Sequence, residues 1–249
     1  TIFDIGDFEC YMYQLDEAND DLIKAAEMIQ RIMPNSYDYA YMTKSIAWNQ
    51  REIYRTRGEL TSLDLSKKYL TESDFAFNES IKNEETRYGS YVMSERYDHA
   101  TTNQVQKASL IYNWAETVYF YGEYDKAIKL AEDSFNLYKL IYGENEIKRY
   151  SPIKTMAKAY SKKGDFNKAS ELIKEAIYFR SISIGCKSKY YWRYVEHYAD
   201  ICYENGELKE SLNQFYEIKK QMQGMEDSHP HYYDYINKKI DKISAEIKE

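Results

Sequence analysis

Three glycines, Gly122, Gly164 and Gly206, stand 42 residues apart, and each sits inside the same local pattern. The stretches read YNWAETVYFYGEYDKAIKL, IKTMAKAYSKKGDFNKASEL and VEHYADICYENGELKESLNQF. Eight residues before each glycine comes a large residue, Trp114, Met156 or Tyr198, followed at once by Ala115, Ala157 or Ala199. Two residues after it comes an apolar anchor, Tyr124, Phe166 or Leu208, and five after it a second small residue, Ala127, Ala169 or Ser211. Glycine takes the left-handed backbone that ends a helix, so each marks the hinge of a helical hairpin. Small residues facing large ones let the two helices of a hairpin approach closely. A fixed period of this kind predicts hairpins stacked in a row.

Composition agrees with a helical chain. Three prolines and nine glycines in 249 residues leave too little turn chemistry for an all-β fold. The 16% aromatic content, with 28 tyrosines, argues against disorder although 30% of residues are charged. Of the formal charge of −7, residues 1–40 carry all of it, with nine acidic and two basic side chains. No dense Lys/Arg cluster follows, so nucleic acid is not an expected partner. No apolar run reaches the length that crosses a bilayer, and TIFDIGDFECY lacks the parts of a signal peptide, so no membrane role is expected. Cys10, Cys186 and Cys202, odd in number and unrelated in spacing, read as reduced thiols of a cytoplasmic protein. Opening on Thr1 rather than Met reads as a piece of a longer polypeptide with attached domains.

The residues resemble the tetratricopeptide repeat (TPR): a large residue, a small one and an aromatic on the first helix, Gly at the turn, then an aromatic and two alanines on the second. Met156, Ala157, Tyr160, Gly164, Phe166, Ala169 and Ala176 supply the best copy. The long period and the loop GMEDSHPHYYDYI, more loosely YGENEIKRYSPI, look like the kinesin-light-chain variety. The resemblance implies an all-α, right-handed α–α superhelix of antiparallel hairpins, a single solenoid over residues 1–249. Within it, 1–34 reads as an N-terminal helical region and 35–104 as degenerate repeats. Residues 105–226 hold about three clear repeats, and 227–249 form a capping helix with Tyr233, Ile236, Ile240, Ile243 and Ile247 on one side.

Upstream the pattern weakens. Around Gly58, Leu60 serves as anchor and Tyr54 as the aromatic, but Arg51 takes the small position and Leu63 the later one. Gly58 and Gly122 are 64 residues apart, which is read as one extra degenerate hairpin turning near Gly89; two extended helices are the alternative.

Other chemistries find little support in the sequence. The run DEANDD at Asp16–Asp21 resembles a calcium loop only in charge, since Ala18 and Asp21 stand where a ligand and the turn glycine belong; it reads as an acidic helix start. His229 and His231 have no Cys or His neighbours in sequence to complete a metal site. No nucleophile elbow, phosphate loop or zinc-helix motif is present, so no enzyme and no cofactor are expected.

The expected site is the concave wall, lined in such solenoids by the first helix of each hairpin. By register it holds Trp48, Asn49, Glu52 and Arg55, then Tyr112, Asn113, Glu116 and Tyr119. Lys154, Thr155, Lys158 and Lys162 follow, then Arg193, His197, Asp200 and Tyr203. The resemblance makes Asn49 and Asn113 clamps for a bound peptide backbone, with Thr155 and His197 departing from the pattern. It also makes the carboxylate clamp for chaperone C-termini absent, since Trp48 and Glu52 stand where Lys and Asn would be needed. Lys154, Lys158 and Lys162, spaced by four, form a basic strip suited to an acidic peptide. The function expected is a non-enzymatic protein-interaction module that binds a protein or peptide segment in this groove. The alternatives are a sensor segment of a larger signalling protein, such as a bacterial NTPase-type receptor, and a self-assembling structural role.

Overall fold

The computed structural model describes residues 15–88, 96–143, 150–225 and 230–248. They form ten helices and, among the described residues, no strand. In chain order these are α1 (Leu15–Ile32), α2 (Tyr37–Arg57), α3 (Leu60–Tyr88), α4 (Arg96–Phe120), α5 (Tyr124–Tyr142), α6 (Tyr150–Lys162), α7 (Phe166–Ile184), α8 (Lys189–Glu204), α9 (Leu208–Gln221) and α10 (Pro230–Glu246). Each packs on the next, making a right-handed superhelix of antiparallel hairpins.

The repeat glycines stop their helices as the pattern requires. Gly164 has φ of +82°, with Gly122 and Gly206 close to it. At each turn the amide two residues past the helix bonds back to a carbonyl five residues earlier: Glu123 to Val118, Asp165 to Tyr160, Glu207 to Cys202. This is the Schellman arrangement, which uses carbonyls that the helix end leaves unpaired. Asp165 then accepts from the Lys168 amide at 3.1 Å and starts α7.

The small positions lie where the helices meet: Ala115, Ala157, Ala199, Ala127, Ala169 and Ser211 are all fully buried. Small hydroxyls on the second helices also close hydrogen bonds to carbonyls of the first. Ser73 donates to Ala40 O and Ser134 to Ala108 O, both at 2.7 Å, and Ser211 to Ala199 O at 2.8 Å. One apolar core runs from α4 to α8 around Tyr150, Ile153, Met156 and Ile173. A second joins α8, α9 and α10 around Trp192, Phe215, Ile236 and Ile243. In α10, Ile236, Ile240 and Ile243 are buried, with Tyr233 and Ile247 partly so.

One expectation is corrected. The 64 residues between Gly58 and Gly122 do not contain an extra hairpin. Leu60–Tyr88 is one uninterrupted helix of 29 residues, and Arg96–Phe120 is one of 25. Neither carries an internal glycine or proline to break it, so both simply run long. Gly89 itself lies outside the described residues, as do Cys10, the loop at 144–149 and His229. The acidic start is a helix start: Asp16 and Glu17 occupy the first turn of α1, and Asp16 accepts two hydrogen bonds at 2.9 Å from the Arg57 guanidinium.

Candidate functional site

The first helices of successive hairpins, α2, α4, α6 and α8, touch one another as well as their own partners, so their side chains form a continuous inner wall. Residues at equal register along that wall meet the next repeat. Tyr112, Lys154 and Glu196 are spaced by 42, and so are Glu116, Lys158 and Asp200.

At the centre lies an ionic cluster spanning three helices. Glu116 is 6% exposed and accepts from Thr155 Oγ1 at 3.1 Å. Its carboxylate stands 3.4 Å from the Arg51 guanidinium and 3.5 Å from Lys154 Nζ. Burial opposes its charge, yet Lys154, Arg51 and Lys158 hold its pKa well below the ordinary carboxylate value. Arg51 also donates to Asn113 Oδ1 at 3.0 Å. Glu52 pairs with Arg55 at 2.8 Å, and Arg55, Arg193 and Arg51 outweigh burial to pull its pKa down. Arg193, on α8, thus lies within electrostatic reach of α2 and closes the cluster from the far side.

The asparagines do not stand free as clamps. Asn49 is 1% exposed, and its Nδ2 donates to Leu15 O of α1 at 2.9 Å. Asn113 donates to Ser109 O at 2.8 Å and accepts from Arg51. In both cases the chain's own backbone and neighbours already hold the amide. The basic strip is corrected in the same way: Lys154 pairs with Glu116 and Lys162 with Glu204, because carboxylates of adjacent repeats face them. Lys158 differs. Its ammonium lies 4.4 Å from the Tyr119 ring centre and 5.1 Å from that of Phe120, with no carboxylate in ion-pair contact among the described residues. Burial pushes its pKa down to about 8.

The remaining predicted residues are divided between the wall and the last helix. Trp48 and Tyr112 are half-buried on it, with Lys154 Nζ 3.4 Å from the Tyr112 hydroxyl. His197 is held neutral, first by burial and then by Lys158, Lys154 and Arg193, and its Nε2 is buried with no hydrogen-bond partner. Asp200 pairs with Lys239 at 2.9 Å, and Tyr203 donates to Glu246 at 2.9 Å, so both tie α8 to α10.

Sequence reading missed two wall residues. Arg51 stood out as a misfit at a small position and is fully buried. Glu196 occupies the same register as Tyr112 and Lys154, and the 42-residue step alone would have found it. It accepts from the hydroxyls of Tyr232 at 2.9 Å and Tyr235 at 3.1 Å.

Among the described residues, no group of His, Cys, Asp and Glu is arranged to hold a metal ion, and no helix is long and apolar enough to cross a membrane. A wall of this kind on stacked hairpins defines a helical-repeat protein of the TPR-like class, a fold that generally mediates protein–protein interaction. Solved structures bear this out. BtubC (BKLC) from P. vanneervenii matches with a TM-score of 0.57 at 12% identity, over 92% of this chain and 82% of that one. Nearly identical TPR-like repeats from a kinesin-light-chain-like protein of Podosopora anserina match at 0.51 and 12%, over 87% and 91% of the two chains. A single-substitution variant of those repeats matches at 0.53 and 12%, over 88% and 92%. No family model matches the sequence, and no curated protein does. The chain therefore has the TPR-like fold, and the sensor alternative draws no support from these likenesses.

Proposed function

We propose that this chain is a non-enzymatic interaction module that holds an extended, acidic protein segment against its concave wall. The observation that carries the reading is Lys158. Every other lysine of the strip has a carboxylate partner within the chain, whereas Lys158 is fixed over two aromatic rings with its ammonium unmatched. A buried face with an unmatched cation beside the unpartnered Nε2 of His197 favours a ligand that brings an acidic group and an acceptor or donor of its own.

Affinity selection from a random peptide library tests the reading. The parent protein should enrich peptides containing Asp or Glu. Lys158→Glu should lose them, and so should Lys158→Met, whose apolar side chain still covers the rings. Enrichment without acidic residues, or the same peptides from all three proteins, would overturn it.

A further inference from the structure

A second unmatched lysine lies away from the cluster. Lys44, on α2, sits in a narrow crevice between α2, α3 and α4, lined by Tyr37, Tyr41, Phe77, Leu110 and Gln106. Its ammonium donates to Gln106 Oε1 and lies 4.7 Å from the centre of the Tyr41 ring. No carboxylate pairs with it among the described residues. Ser73, the other polar side chain of the lining, spends its hydroxyl on Ala40 O. Gln106 Nε2 makes no hydrogen bond within the described structure, so two donors, an ammonium and an amide, open side by side onto apolar and aromatic walls. Charged groups inside a protein are ordinarily paired, and an apolar cleft with few convergent polar groups is the usual form of a small-ligand site.

We propose that this crevice binds a carboxylate carried on an apolar group, with Lys44 and Gln106 Nε2 as the two donors and Tyr37, Phe77 and Leu110 against the apolar part. Two donors match the two oxygens of a carboxylate. A free aromatic acid and the C-terminus of a peptide ending in an apolar residue share this chemistry. Burial alone pushes the Lys44 ammonium down to about 8, as expected for a cation without a counter-ion.

The test is amine acylation of the whole chain at pH 8, read lysine by lysine by mass spectrometry. About half of Lys44 is then in the reactive neutral form, and a carboxylate that restores an ordinary lysine pKa cuts its labelling about tenfold or more. The expected result is protection of Lys44 by 3-phenylpropanoate and by Gly-Gly-Phe, with none by the C-terminal amide of Gly-Gly-Phe and little by inorganic phosphate. If the peptide protects at the lower concentration, a chain terminus is the natural source; the reverse order points to a free acid. Lys44→Met should melt no lower than the parent and lose saturable binding of 3-phenylpropanoate. Undiminished labelling with every probe, equal protection by phosphate, or a Lys44→Met variant that melts several degrees lower would overturn the proposal. Lys158→Glu leaves this crevice intact, so it should keep the protection whatever the concave wall binds.

Discussion

Arg51 reaches 3.0 Å from Asn113 Oδ1 out of a position that is alanine in the three later repeats. Where those repeats close a seam with methyl groups, this one inserts a guanidinium and places it 3.4 Å from Glu116. Such an arrangement holds only while both charges are present. Truncating one partner leaves the other buried and uncompensated, at a cost of about 3–5 kcal/mol.

Glu116→Gln should therefore lower the urea midpoint clearly more than Lys162→Met, which removes one member of an exposed pair. The double variant Arg51→Met with Glu116→Gln should regain part of the loss. Additive losses in that double-mutant cycle would show that the two residues do not act as a pair.

Alkaline pH should first stabilise the chain and then destabilise it. Lys44 and Lys158 have folded pKa values of about 8, below their ordinary 10.5. Between those values the unfolded chain binds more protons, so stability rises with pH. Tyr39, Tyr138 and Tyr191 are pushed up to about 12 by burial, so above pH 10 the folded state binds more protons and stability falls. Urea midpoints measured from pH 7 to 11 should peak near 10, and Lys44→Met with Lys158→Met should flatten the rise. A monotonic fall from pH 8 would contradict this.

The link between α8 and α10 should respond to loss of the hydroxyls that Glu196 accepts. Tyr232→Phe and Tyr235→Phe each remove a donor to a carboxylate, worth about 1.5–3 kcal/mol. Both should lower the thermal midpoint, and Tyr232→Phe should do so more, because Tyr232 is the more buried and stacks on Trp192. Equal midpoints for parent and variants would show that α10 is held by its apolar face alone.

Ala157→Leu should disrupt the hairpin seam. Ala157 is fully buried between α6 and its neighbours, and extra methylenes in a packed interior cost about 1–3 kcal/mol. A variant as stable as the parent would mean that the seam is not close-packed at that point.

The later repeats were legible because glycine, alanine and aromatic positions each answer to one local demand: a left-handed turn, a close approach, an apolar anchor. The long α3–α4 stretch was not, since spacing alone cannot tell two long helices from four short ones when no residue breaks them. Register placed the wall residues on the correct helices. It could not show that Asn49 and Asn113 are already bonded, because those bonds depend on Leu15, Ser109 and Arg51, which lie on other turns or other helices. Arg51 was noticed as an exception to the pattern, and its role emerged only with Glu116 opposite it.

The length of α3 has its own consequence. It outlasts α2, its partner in the hairpin, by 29 residues to 21, which amounts to about 12 Å of extra rise. The overhang stands past the end of the helix that shields the rest of it, like a spur on a coil. Backbone amides there should exchange with solvent by local fraying long before those beside Ala157, so the stack melts outward from a point within its length as well as from its two tips.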